Sequence, residues 1–298
     1  MAKATTSRLI DTVSIIGSSG QATAPALQIR DQNFPAGDMA LRALTVHYDA
    51  TISGTSTPTR VTNGHIFFLN GLTVETDKHL KIVDNVDGLL FYTMNQFEFG
   101  TTGRATALTA TPSDSDTPQC SWIVPFSLYR GIMPYDTNLD MLLARMKVST
   151  QYGPSTNLWT QSGGSPLVKN LRQVIEGKIL PGRLAAEVDA GGKQVKESEL
   201  PIYMRSFSQM LVPITATENR KQIALPFGDR IYRRIFITQR NTSTLAEMSN
   251  VVAVTAQISL YINSIPVIDR REFQAVQNEN KLAYSLESNP TLAPDTFA

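Results

Sequence analysis

The chain has 298 residues, 27 basic against 26 acidic side chains, three histidines, one cysteine and 18% charged residues. So even a balance supplies no global field for nucleic acid or an anionic membrane, and a lone Cys120 excludes an internal disulfide framework and a cysteine-based zinc site. With 42% hydrophobic residues each of the about two domains expected from the length can bury a core. The charged fraction lies below the roughly 25% of an ordinary soluble domain, which suits a surface packed against many neighbours. The N-terminus MAKATTSRLIDTVSIIG lacks the apolar core of a signal peptide, and no apolar run reaches the ~18 residues of a membrane span. A soluble chain made in the cytoplasm is expected.

In chain order, short alternating runs rich in Val, Ile, Thr, Tyr and Phe between Gly, Pro, Asn and Ser clusters predict a mainly β protein. Leu44, Val46 and Tyr48 alternate with Thr45, His47 and Asp49, the pattern of a half-buried strand, and the polar stretch 50–59 reads as a loop. A strand IFFL then meets Asn70-Gly71, a tight-turn signal, followed by LTV. Thr76 can cap a helix in which Leu80, Val83 and Val86 fall at helical spacing. A loop at 112–118, the strand-like runs SWIVPFSLY and KVSTQYG, and a linker over 161–200 with one amphipathic helix, Leu167 to Ile175, complete the first part.

The second part repeats the first. FPAGDMALRALTV (Phe34 to Val46) aligns with LPFGDRIYRRIFI (Leu225 to Ile237), and FFLNGLTVETDKHLKIVDNVDGLLF (Phe67 to Phe91) aligns without a gap with LYINSIPVIDRREFQAVQNENKLAY (Leu260 to Tyr284). Pro35, Gly37, Asp38 and Arg42 recur as Pro226, Gly228, Asp229 and Arg233, and Asn70 as Asn263. A period of about 190 residues is far longer than a solenoid unit and implies duplication of a whole domain. In the second copy Ile235, Ile237 and Gln239 should form the half-buried strand, 241–250 the variable loop, Asn263-Ser264 the turn, and Asp269 with Glu272 the capping box of a helix carrying Phe273 and Val276. The last residues, LAPDTFA, echo IMPYDT and then end, so a closing strand is expected either to be cut off or to come from a neighbouring chain.

Chemistry-bearing constellations are sparse. His47, His65 and His79 lack the paired spacing that puts two imidazoles on one strand face, and read as solvated or loosely packed side chains; Cys120 reads as a packed apolar thiol. There is no nucleophile elbow, no phosphate-cradling loop, and GSSG at 17–20 is an ordinary turn cluster. Asp38 and Asp229 follow glycines and suit turns better than a metal. Arg230, Arg233, Arg234 and Arg240 interleave with Ile231, Tyr232, Ile235 and Ile237, as on the outer face of a strand. The sequon Asn241-Thr242-Ser243 is a chance match in this context. No catalytic, cofactor-binding or metal residue is assigned, no cofactor is expected, and no specific nucleic acid.

The paired blocks give a chain that resembles the double jelly-roll major capsid proteins, the lineage of tailless membrane-containing bacteriophages such as PRD1 and PM2 and of the adenovirus hexon. The resemblance covers 34–91 and 225–284, with weaker support from MPYDTNL. It implies two tandem eight-stranded jelly-roll β-barrels with short inserted helices: an N-terminal barrel over 1–160, the linker 161–200, and a C-terminal barrel over 201–298, incomplete in this chain. It implies a coat protein of an icosahedral virion, assembled as homotrimers that present six barrels as a pseudo-hexagonal tile. Its partners would be neighbouring trimers, minor capsid and vertex proteins, and an internal lipid membrane at the trimer base. A glycan-binding or adhesive β-sandwich is the alternative; an enzyme built from two jelly rolls is a third reading, against which the missing acid, base and metal clusters count.

Overall fold

The structure, a computed structural model, describes residues 5–16, 22–23, 27–30, 39–53, 59–61, 64–76, 81–99, 116–126, 139–140, 145–160, 167–181, 205–213, 221–225, 232, 234–237 and 257–284. The strands are β1 (Thr5–Ile16), β2 (Ala22–Thr23), β3 (Leu27–Arg30), β4 (Met39–Ser53) and β5 (Thr59–Arg60). A short helix α1 (Gly64–Phe67) leads into β6 (Leu69–Thr76), β7 (Lys81–Val86) and the helix α2 (Gly88–Phe99). Next come β8 (Gln119–Pro125), β9 (Leu139–Asp140), β10 (Arg145–Tyr152), β11 (Trp159–Thr160) and β12 (Leu167–Pro181). The C-terminal part supplies β13 (Phe207–Ser208), β14 (Gln257–Ile262), β15 (Ile265–Glu272) and α3 (Phe273–Tyr284).

The protein is mainly β, as expected. One sheet runs β1-β12-β4-β8, with β9 also on β4; the other runs β13-β7-β6-β10-β2, with β3 also on β10. These two sheets face each other as an open sandwich, so among the described residues closed eight-stranded barrels are not found. Strand alternation builds the core: Leu44, Val46, Tyr48, Ala50 and Ile52 of β4 stand opposite Val124, Trp122 and Cys120 of β8 and Ile175 and Leu171 of β12, all buried. From the second sheet Leu72, Val74 and Val148 meet them. Gln173 of β12 is buried on the same inner face, and its side-chain oxygen accepts from Thr150 Oγ1 at 2.6 Å and Tyr152 OH at 3.0 Å across the sandwich. Tyr48 stacks near Trp122, Phe68 and Tyr152 and donates to the His65 carbonyl at 2.5 Å.

Several local expectations are corrected. Leu167 to Ile175 is strand, not helix, and so belongs to the N-terminal sheet rather than to a linker. A bulge between Val168 and Asn170 shifts the phase of β12, so that buried positions at 168, 171, 173 and 175 mimic helical spacing. Residues 50–53 continue β4 instead of opening a loop, with Ala50 and Ile52 buried. Asn70-Gly71 lies within β6, where Gly71 lets the Asn85 side-chain oxygen approach closely. Residues 81–86 are strand, and the helix α2 starts only at Gly88, capped by Asp87, whose Oδ1 accepts from Leu90 N–H at 3.0 Å. In the second half, Asp269 lies inside β15 and caps nothing; α3 begins after Glu272. The described residues 234–237 form no strand, and it is Phe236, not Ile235 or Ile237, that turns to the core.

The gapless repeat is also corrected. In its register Val83 of β7 meets Val276 of α3, and Asn70 of a strand meets Asn263 of a turn, so matched residues fall in unlike elements. A repeat does exist, at a separation of 185 residues: Ala22 to Phe207 begins β2 and β13, Gly88 to Phe273 begins two 12-residue helices, and Asn85 to Arg270 places two left-handed residues (φ 48° and 47°). Each of these residues donates its backbone N–H to a hydroxyl on the preceding strand, Asn85 to Thr73 Oγ1 at 3.3 Å and Arg270 to Ser259 Oγ at 2.9 Å. The repeated unit is thus hairpin, left-handed kink, helix: β6-β7-α2 and β14-β15-α3.

Candidate functional site

Asp38, His79, Asp229, Arg230, Arg233, Arg240, the 17–20 cluster, the sequon and loop 241–250 lie outside the described residues. Cys120 is a packed thiol as expected, fully buried, and its burial pushes the thiol pKa up. His65 is buried in α1, where a solvated or loosely packed ring was expected. His47 does sit on the polar side of β4. Among the described residues no group of three or more His, Cys, Asp or Glu is placed to hold a metal, and no helix is long and apolar enough to cross a membrane.

The outer face of the first sheet brings together one constellation that sequence spacing did not reveal. Strand pairing sets His47 opposite Ser121 and Asp49 opposite Arg172. His47 Nδ1 lies 2.7 Å from Ser121 Oγ, its Nε2 lies 3.6 Å from Asp49 Oδ2, and Arg172 donates to that same oxygen through Nε at 2.8 Å and Nη2 at 2.5 Å. Burial lowers the His47 pKa; Asp49 pulls it up and Arg172 pushes it down. A hydroxyl, an imidazole and a carboxylate are in a row, set there by the β4–β8 and β4–β12 pairings. The arrangement is a cross-strand polar network.

A second junction forms where the C-terminal part meets α2. β13 pairs in parallel with β7, Phe207 packs edge-on against Phe91 at 5.9 Å, and Phe236 against Phe97 at 5.5 Å. The Gln209 amide closes on Asp87 twice, accepting from its backbone N–H at 2.8 Å and donating to Oδ2 at 2.7 Å. In its first turns α2 is buried all round, Leu89, Phe91, Tyr92 and Met94 included.

The third feature is a contrast between the repeated units. All the exposed large apolar residues among the described ones fall between Met210 and Leu282, whereas the buried apolar core, Phe273 excepted, falls before residue 176. Leu89 on α2 and Val83 and Ile82 on β7 are fully buried; Leu282 on α3 is 83% exposed, Ile265 67% and Val267 58%.

No protein-family model and no curated protein matches the chain. Among solved structures, the crystal structure of the STIV MCP is similar at 12% identity, covering 93% of this chain and 81% of that one, with a TM-score of 0.47. The structure of infectious bursal disease virus Gx strain is similar at 10% identity over 59% of this chain and 39% of that one, with a TM-score of 0.14.

Proposed function

We propose that this chain is the major capsid protein of an icosahedral virus, a subunit of two tandem jelly rolls that assembles as pseudo-hexagonal trimers and tiles the shell. One observation carries the reading: among the described residues the N-terminal unit buries its apolar side chains between two sheets, while its repeat leaves most of its own exposed. Large exposed apolar patches mark interaction surfaces, and a surface with few charges suits contact on many sides. The mainly β, two-sheet architecture and the repeat of a hairpin-kink-helix unit fit a chain built from two related halves. On this reading the protein is not an enzyme, is made in the host cytoplasm and resides in the virion. Minor capsid and vertex proteins, and lipid beneath the trimer, would be its further neighbours.

Light scattering on the purified full chain tests it. A stable species near three times the 32.7 kDa chain mass, or a larger assembly, is expected. A monomer at every concentration refutes the proposal, and a size shift that depends on added glycan points to an adhesive sandwich.

A further inference from the structure

The outer face of the first sheet carries chemistry that its strand ladder does not need. His47, Asp49, Ser121 and Arg172 each stand between two buried neighbours: Val46 and Tyr48, Tyr48 and Ala50, Cys120 and Trp122, Leu171 and Gln173. Alternation therefore turns all four outward, and the register sets Ser121 opposite His47 and Arg172 opposite Asp49. Core packing on the inner face fixes their backbones, so the constellation rests on rigid strands rather than on loops. A tie between β4 and β12 needs only the Asp49–Arg172 pair; the Ser121–His47 pair is additional.

Each contact has a direction. Asp49 Oδ2 lies 3.6 Å from His47 Nε2 and draws the ring proton to that nitrogen, leaving Nδ1 to accept from the Ser121 hydroxyl at 2.7 Å. Arg172 donates twice to the same Asp49 oxygen and holds the carboxylate where it orients the ring. Burial lowers the His47 pKa and Arg172 lowers it further, against the pull of Asp49 and Glu176. At neutral pH the imidazole is thus uncharged, the form that can take a proton. A hydroxyl, a base within hydrogen-bonding reach and a third group that orients the base make an activated nucleophile. The face is open to small molecules: the His47 and Asp49 side chains are 26% and 30% exposed, and Ser121 is half-buried.

We propose that Ser121 is a covalent acyl-acceptor site, taking the acyl group of small thioesters or aryl esters with His47 as its base. As Ser121 Oγ attacks the carbonyl carbon, its proton passes to His47 Nδ1; the Oγ–C bond forms and the bond to the leaving thiolate or phenolate breaks. The imidazolium then returns the proton to the leaving group, and the chain carries an ester at Ser121. These donors suit the site because their leaving groups depart with one proton and no further reagent. Asp49 and Arg172 touch no substrate and act as positioning residues. The site is one of modification, not of turnover, and it stands or falls apart from the coat-protein reading.

The test treats the full chain with p-nitrophenyl acetate and with an acetyl thioester, and locates acetyl groups by peptide mass spectrometry. The internal reference is Ser149, a half-buried serine on β10 opposite Thr73. Ser121 should be acetylated about a hundredfold faster, the low end of what a positioned base supplies, and a ratio under about tenfold overturns the proposal. That comparison needs no variant. In Ser121→Ala the release of p-nitrophenol should fall to background; release that continues assigns the nucleophile to His47 and overturns the proposal. Between about pH 5 and pH 8 the rate at Ser121 should rise to a plateau through an inflection below the ordinary imidazole value of about 6.5. The groups that set it are Asp49 on the same strand and Arg172 and Glu176 on β12, while β8 carries no charged residue. Arg172→Gln should move the inflection upward, because the guanidinium lowers the His47 pKa. A profile without an inflection, or one that Arg172→Gln leaves in place, overturns the proposal.

Discussion

Gly88→Ala should destabilise the protein although alanine is the better helix former. At the first residue of α2 a Cβ would strike the backbone carbonyl oxygen of Ile66 and lie 2.8 Å from Trp122 Cζ2 and 3.1 Å from Cε2. Neither neighbour is the loose end of a flexible chain: Ile66 lies buried in α1, and Trp122 is fully buried between β4 and α2. Helix propensity favours alanine by at most about 1 kcal/mol, while overpacking a filled core costs about 1–3 kcal/mol. Because the clash is with backbone, the cost falls in the upper part of that range, about 2–3 kcal/mol, and the net loss is about 1–2 kcal/mol. For a domain of this size that lowers Tm by about 2–8 °C, and in urea the midpoint should fall with the slope unchanged. A Gly88→Ala protein as stable as the parent, or more so, would show that α1 and Trp122 give way easily and that Gly88 is not a packing requirement.

Gln209→Ala removes both bonds to Asp87 and should cost about 1–3 kcal/mol; Asp87→Ala also loses the helix cap, and a double-mutant cycle should show coupling of at least about 0.5 kcal/mol. Strict additivity in urea unfolding would mean that the C-terminal part is held elsewhere. For His47 the sign follows from its lowered pKa: the folded state resists protonation more than the unfolded chain does. Stability is therefore full above about pH 6.5 and is lost as pH falls through the lower folded value. His47→Gln should flatten the difference in urea midpoint between pH 7.5 and pH 5.5; an unaltered difference would assign it to other groups.

How much of this could be read in the residues varies with the local physics. β4, β8 and β10 were legible because each has one face on the core and one toward solvent, so Leu44-Val46-Tyr48 alternates cleanly. β12 was misread because a single extra residue near Val168 turns a period of two into a false helical stripe. Helix α2 gave no stripe at all, since Leu89, Phe91, Tyr92 and Met94 are buried around its whole circumference. The Asn-Gly signal failed at 70–71, where glycine serves a close approach, and its weaker twin Asn263-Ser264 makes the turn. That two-residue turn replaces a longer connection between β6 and β7, so a gapless alignment could find that there was a repeat but not its register. The His47–Ser121–Asp49–Arg172 network joins three strands distant in sequence, and no spacing rule on one segment could have found it.

The bridge at Gln173 has a mechanical consequence. Its oxygen takes two hydroxyl donors from the facing sheet, and its strand neighbours on either side are Arg172, which is exposed, and Val174, on the outer face. Sliding β12 by one step would carry the wrong side chain inward and strand both donors. The two layers are thus pinned against sideways shear at one chemically specific point.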